Sequence, residues 1–285
     1  MLRNYYRLAK PGIVYGNIVS TLASFLFASR FQAMPLLMLA TLFGLALVIA
    51  SGCVFNNYLD REIDRAMKRT QNRPLVTGAI SGRAALIYGS VLGLLGLALL
   101  ALHANLLTAE MALFGWIFYV IVYGLAKRGS AWGALVGSIS GAVPIVVGYT
   151  AVTDRLDHTA LVLFLILAAW QMPHFYAIAI YRLEEYTAAG VPVYPQQHGI
   201  RATKIQILGF LILYIVMTAL LAVVAQAGIV YLALVLISGG LWLAQAIRGF
   251  AANTDDAAWA RGMFRSSLLI LIALCVLLAA APLLP

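Results

Sequence analysis

Asn56-Asn57-Tyr58-Leu59-Asp60-Arg61-Glu62-Ile63-Asp64 runs on through Arg65, Lys68, Arg69 and Arg73 to Pro74, placing three acids and five bases within eighteen residues. No charged residue stands between Arg30 and Asp60. A charged block of this density, directly after an apolar run, marks a boundary between two solvents. Which two solvents they are decides the fold.

The chain has 285 residues, 63% hydrophobic and 10% charged, against about 25% charged in an ordinary soluble domain. So few charges cannot cover a soluble fold of this length, so its outer surface must face lipid. Apolar runs long enough to cross a bilayer recur nine times, at about 13–29, 35–58, 84–102, 108–126, 131–151, 159–181, 205–225, 229–247 and 264–282. The expected fold is all-α: a polytopic membrane helical bundle of about nine transmembrane helices, forming one domain over residues 1–285.

Assigning the loops alternately to two sides puts 17 of the 19 bases on one side and leaves only Arg30 and Arg155 opposite. The positive-inside rule makes the basic side cytoplasmic, with the N-terminus in. The net charge of +9 then reports topology, and nucleic acid is not an expected partner. Arg3, Arg7 and Lys10 ahead of an apolar run imitate a signal peptide, but no small-x-small cleavage site follows. The first helix is therefore expected to be retained. The lack of an Arg/Ser-rich transit segment points to a bacterial plasma (inner) membrane. Cys53 and Cys275 fall in apolar spans, where a small buried hydrophobe is the usual role.

Lys10-Pro11-Gly12 opens the first helix, since proline fits a first turn without losing a needed hydrogen bond. Gly89, Gly93 and Gly96, then Gly133, Gly137 and Gly141, suit close helix packing of the small-xxx-small kind rather than room for a ligand. Pro144 is expected to kink the fifth helix. Two long polar loops follow helices 2 and 6 on the same face, a spacing that suggests a repeat of four helices with the ninth extra.

Asn56, Asp60 and Asp64 recur at i, i+4 and i+8, so at about 100° per residue they share one helical face and rise about 6 Å per step. Glu62 is turned about 200° from Asp60 and is expected to face solvent, paired with Arg65 or Arg69. Two carboxylates and an amide, with no Cys or His among them, suit a hard cation such as Mg²⁺ bridged to phosphate. The competing role is pairing with neighbouring bases at the water boundary. Arg61, Arg65, Lys68, Arg69 and Arg73 outnumber the acids, and guanidinium groups take phosphate bidentately, so the block suits a metal-bound diphosphate. In the second loop, Glu185 stands one turn after Tyr181 and could hold a second ion or meet the first cluster. His174, beside Pro173, is a single histidine, more often a hydrogen-bonded structural residue than a ligand.

Asn56-x3-Asp60-x3-Asp64, followed by Arg65, Arg69-Thr70-x2-Arg73-Pro74-Leu75, resembles the first diphosphate-binding motif of the intramembrane UbiA-type prenyltransferase superfamily. Four further stretches resemble, more narrowly, its haem-farnesylating branch, the protoheme IX farnesyltransferases. They are Lys10-Pro11-Gly12, Ser51-Gly52-Cys53-x2-Asn56-Asn57, Trp170-Gln171-Met172-Pro173-His174-Phe175 and Glu185-Tyr186-x2-Ala189-Gly190-Val191-Pro192; Gly137-Ser138-x-Ser140-Gly141-Ala142-x-Pro144 is similar too. The likeness spans essentially the whole chain. Two positions depart from the pattern: Glu185 stands where the family usually has Asp, and Ala189 where many members carry a second Asp.

The resemblance implies transfer of the farnesyl group of farnesyl diphosphate to the vinyl group of haem b, with haem b as substrate rather than cofactor. It implies Mg²⁺ held by Asn56, Asp60, Asp64 and Glu185, which are also the expected catalytic residues. Arg65, Lys68, Arg69 and Arg73 are expected to clamp the diphosphate, and Tyr181, His174 and Trp170 to meet the acceptor. The lipid bilayer is the remaining partner, with haem A synthase or a terminal oxidase downstream. Alternatives are a prenyltransferase acting on a quinone precursor or another tetrapyrrole, and, from another class, a membrane transporter. A transporter would carry its charges near mid-span, where this chain has none.

Overall fold

The computed structural model describes residues 1–284, and every element among them is helical. Among the described residues, nine helices are long and apolar enough to cross a membrane: Pro11–Ser29, Pro35–Leu59, Gly82–His103, Leu106–Gly129, Gly133–Thr153, His158–Tyr181, Tyr194–Val224, Ile229–Arg248 and Asp256–Leu283. They are called the first to ninth spans below. Their outer faces expose Phe43, Leu94, Leu125, Val223, Leu241 and Leu269, an apolar surface far larger than a soluble monomer shows. The protein is a multi-pass membrane protein.

Local chemistry starts the helices. Pro11 and Pro35 occupy the first turns of the first two spans. Side-chain oxygens of Ser81, Asn105, Asp157 and Asp255 accept free backbone N–H groups at the starts of the third, fourth, sixth and ninth, satisfying donors a helix end leaves open. Pro144 and Pro173 lie inside helices that run through them.

Two boundaries differ from the hydropathy reading. The seventh helix starts at Tyr194, because residues 194–198 form a leading turn that Gly199, at φ 82° and ψ 162°, separates from the rest. The ninth starts at Asp256, and Asp256 and Arg261 in its first turns kept that stretch out of the apolar run.

The second span packs on the first and third, and the sixth on the fifth and seventh; the first packs on the fifth, and the ninth lies against the first, sixth and eighth. In both halves each span packs on the next, but the second span also packs on the fourth while, among the described residues, the sixth has no such packing on the eighth. The third span's glycines are packing positions: a Cβ on Gly89 would lie 2.9 Å from Phe55, on Gly93 2.8 Å from the Ser51 Oγ, and on Gly96 2.6 Å from the Gly44 carbonyl oxygen. In the fifth span, a Cβ on Gly137 would lie 3.0 Å from the Tyr123 ring and on Gly141 1.9 Å from the Gln171 Oε1. Cys53 and Cys275 are both free and buried. The first, second, fourth, fifth, sixth and ninth spans wall a central cavity, and the loops after the second and sixth spans close over one end of it.

Candidate active site

The site begins where the second span ends. The helix breaks at Asp60, resumes as Arg61–Ala66 and ends as Met67 turns extended. Backbone bonds from Asp60 N to Asn56 O (2.9 Å) and Asp64 N to Asp60 O (2.8 Å) carry the register across the break. Asn56, Asp60 and Asp64 therefore stay in phase, all three buried and all lining the cavity. After Met67 the chain doubles back. The Thr70 hydroxyl donates to the Asp64 carbonyl at 2.9 Å, which brings the Arg73 Nη1 to 2.5 Å from the Asp64 carboxylate.

Each acid is held by a base from outside its own helix. The Lys127 ammonium, at the end of the fourth span, donates to the Asp60 Oδ2, and the Arg128 Nη2 stands 3.4 Å from its Oδ1. Lys10 donates to the Asn56 Oδ1 at 2.6 Å. Burial, with Arg73 and Lys127 acting in the same direction and Cys53 and Asp60 opposing, brings the Lys10 ammonium down to about 8. The Asn56 Nδ2 is buried without a partner.

Lys10, Arg69, Arg73, Lys127 and Arg182 line the cavity together with Asp60 and Asp64. Five bases against two acids leave a positive excess at this end, suited to a polyphosphate anion. Arg65 and Lys68, expected as clamps, lie outside the cavity. Arg65 is exposed and bonds Glu62 at 2.9 Å, and Lys68 is exposed on the loop. Arg65 sits about 100° round the short helix from Asp64 and so turns away from the cavity, whereas Lys68 follows the break at Met67, beyond which Arg69 and Arg73 line the cavity. Glu62 faces solvent as its phase requires.

Glu185 lies not on a continuation of the sixth span but on the separate helix Leu183–Ala188, because the chain turns at Arg182. Its Oε2 accepts from the Arg182 Nη1 at 2.9 Å, while its Oε1 is buried with no partner. Arg182 and Tyr186 line the cavity, whereas Glu185 does not. No cluster of three or more acids, histidines or cysteines is preformed among the described residues. The donor set nevertheless fits a hard divalent ion. Asp60 and Asp64 present carboxylate oxygens to the cavity, and the Glu185 Oε1 is a further oxygen without a partner, donors of the kind a hard cation takes.

The cavity holds about 750 Å³, and away from the charged end its walls become aromatic and aliphatic. The fourth span makes a π-helical turn over Phe118–Val122, a feature frequent at functional sites. That turn stacks Tyr119 on Tyr123, both lining the cavity, with centroids 5.9 Å apart. Trp170, His174 and Tyr181 of the sixth span form the facing wall. His174 lies two turns inside the span.

The sequence profile of the UbiA prenyltransferase family matches residues 17–268. The chain belongs to the UbiA prenyltransferase family. Two family relatives, both named "Protoheme IX farnesyltransferase", come from Sodalis glossinidius and Yersinia enterocolitica. Each is 47% identical over 280 residues, covering 98% of this chain and 94% of its own. Among solved structures, that of a digeranylgeranylglyceryl phosphate synthase superposes with a TM-score of 0.82 at 21% identity, over 99% of this chain and 98% of its own. A UbiA homologue from Archaeoglobus fulgidus bound to GPP and Mg²⁺ superposes with a TM-score of 0.70 at 18% identity, over 96% and 99%. At these identities the two structures establish the shared UbiA fold.

Proposed function

We propose that this protein transfers the farnesyl group of farnesyl diphosphate to a vinyl group of haem b, giving haem O and diphosphate. The observation that carries the reading is the polarity of one cavity: a basic, carboxylate-bearing mouth above an aromatic floor that ends at an imidazole. The protoheme IX farnesyltransferase relatives, alike over nearly the whole length, support the acceptor. Residues 1–285 act as one catalytic unit in a bacterial inner membrane, with the mouth at the cytoplasmic face, where 17 of the 19 bases are assigned. Haem A synthase or a terminal oxidase would take the product onward.

Asp60 and Asp64, with Glu185 from the second loop, would hold Mg²⁺, and the Asn56 amide, whose Nδ2 lacks a partner, would assist at the diphosphate. Bound there, the ion neutralises charge that builds on the departing diphosphate oxygen. Arg73 and Lys127 then exchange the aspartates for phosphate oxygens, joined by Lys10, Arg69 and Arg182, so that donors already face the charge that develops. The C–O bond breaks with its electron pair leaving on diphosphate. The vinyl π-electrons close the new C–C bond to the farnesyl C1, and the resulting cation beside the porphyrin is captured by water, which gives up a proton and leaves the hydroxyl. Tyr119 and Tyr123 offer π-faces along this path, and the aliphatic walls keep bulk water from the first cation.

The test is conversion of haem b and farnesyl diphosphate to haem O by the protein in lipid vesicles, followed by product mass. Farnesylation of a quinone precursor but not of haem b would overturn the acceptor assignment.

A further inference from the structure

In the apolar half of the cavity the His174 Nδ1 lies 2.7 Å from the Ser267 Oγ. The same Oγ lies 2.6 Å from the Phe264 carbonyl oxygen, one turn earlier in the ninth span. A serine hydroxyl has one proton, and a carbonyl only accepts. That proton therefore goes to Phe264, and Ser267 is left to accept an N–H from the His174 Nδ1. Among the described residues no acid pairs with the ring, which sits against Trp170 and Phe264, so the neutral imidazole is the form this apolar wall accommodates. One ring proton placed on Nδ1 leaves the Nε2 lone pair free. Nε2 has no hydrogen-bond partner among the described residues, and His174 lines the cavity.

Ser267 fixes a second ring as well. Its carbonyl oxygen accepts from the Trp170 Nε1 at 3.0 Å, and Trp170 stacks on His174 with centroids 5.2 Å apart and planes 23° from parallel. One fully buried residue of the ninth span thus orients two rings of the sixth.

We propose that Ser267 is a positioning residue that holds His174 as the Nδ1–H tautomer and so presents its Nε2 lone pair to the iron of the haem substrate. The inference rests on the haem reading above. Histidines that ligate metals characteristically donate the other ring N–H to an oxygen acceptor, which fixes the ring and raises its basicity, and this is the arrangement Ser267 and His174 adopt. Coordination there would hold the porphyrin across the imidazole edge and select which of its rims turns toward the diphosphate end.

The test uses the full-length protein in lipid nanodiscs titrated with haem b. Haem affinity, the Soret band and the ferrous iron–imidazole stretch in resonance Raman are read for the wild type, Ser267→Ala, Ser267→Thr and His174→Ala. We expect imidazole ligation in the wild type and its loss in His174→Ala. Ser267→Ala should weaken haem binding about 10- to 100-fold and lower the stretching frequency, and Ser267→Thr, which keeps the hydroxyl, should restore both. Unchanged affinity and stretch in Ser267→Ala overturn the proposal while leaving the haem reading intact. A wild-type ligation spectrum in His174→Ala overturns it at its premise. A wild type that neither binds nor farnesylates haem b defeats the haem reading, and the proposal with it. If the alanine variant does not fold, Ser267→Val against Ser267→Thr, similar in shape and different in the hydroxyl, decides by the same two readouts.

Discussion

The Lys127 ammonium holds the Asp60 carboxylate from the far wall of the cavity, 67 residues along the chain. The contact joins the second span to the fourth, and it sits where a diphosphate must arrive. The base pairs with a buried acid at the charged end of the cavity, and under the proposed function it is the group that would pass to the phosphates when a metal ion takes the carboxylate. Arg73 stands in the same relation to Asp64.

From this follows a metal dependence carried by the two aspartates. Asp60→Asn and Asp64→Asn should each lower kcat by at least about 10²-fold, with membrane insertion and yield unchanged, and excess chelator should stop the wild type. Turnover by radiolabelled farnesyl transfer checks both. Wild-type rates in either variant would remove that residue from the metal site.

The bases divide into two groups by position. Lys127→Ala and Arg73→Ala should each raise KM for farnesyl diphosphate about 10- to 100-fold, the worth of a charge-assisted hydrogen bond of about 1.5–3 kcal/mol. Arg65→Ala and Lys68→Ala, which lie outside the cavity, should change it less than about 3-fold. Initial-rate kinetics across the four variants distinguishes a clamp from general attraction to the basic face.

Gly141 leaves room for the Gln171 side chain, whose amide donates to the Ser138 and Leu167 carbonyl oxygens. Gly141→Ala should cost about 1–3 kcal/mol of stability, because the added methyl forces the buried amide from its place. Gly141→Ala/Gln171→Ala should regain part of the loss, as read by thermal unfolding in detergent. Additive losses in the double variant would show that the crowding is relieved elsewhere.

Gly199 holds φ 82° and ψ 162°, a conformation open almost only to glycine. Gly199→Ala should destabilise by about 1–3 kcal/mol while leaving KM for farnesyl diphosphate unchanged, since no Cβ at this position meets another atom. Unfolding and kinetics on the same preparation check the pair of expectations.

Much of the fold was legible because lipid imposes a simple rule of long apolar runs, and the ladder of Asn56, Asp60 and Asp64 was legible because helical phase survives the break at Asp60. Glu62 could be set aside on phase alone. Lys127 and Arg182 escaped notice, since loop bases at a membrane boundary look alike until the fold decides which turn inward. Lys10 carried one sequence signal, its place directly before Pro11-Gly12, but nothing local tied it to Asn56. Arg65 and Lys68 were favoured by proximity to the acids; helical phase alone turns Arg65 away from Asp64, while the extended backbone at Met67, which no residue type there announces, turned Lys68 out. Ser267 had no signal at all: its meaning lies in two rings nearly a hundred residues earlier.

The seam between the second and third spans acts on the chemistry as a lever. Gly44, which meets Gly96 there, lies sixteen residues before Asp60 on one rod, roughly 24 Å at the helical rise. A tilt of about 2° at the seam would carry Asp60 through about 1 Å, and an error of about 1 Å in placing reacting groups can cost about 10²-fold in rate. The calibration of the reacting end is thus set roughly 24 Å away, within the span, by two residues with no side chain to speak of and no view of either substrate.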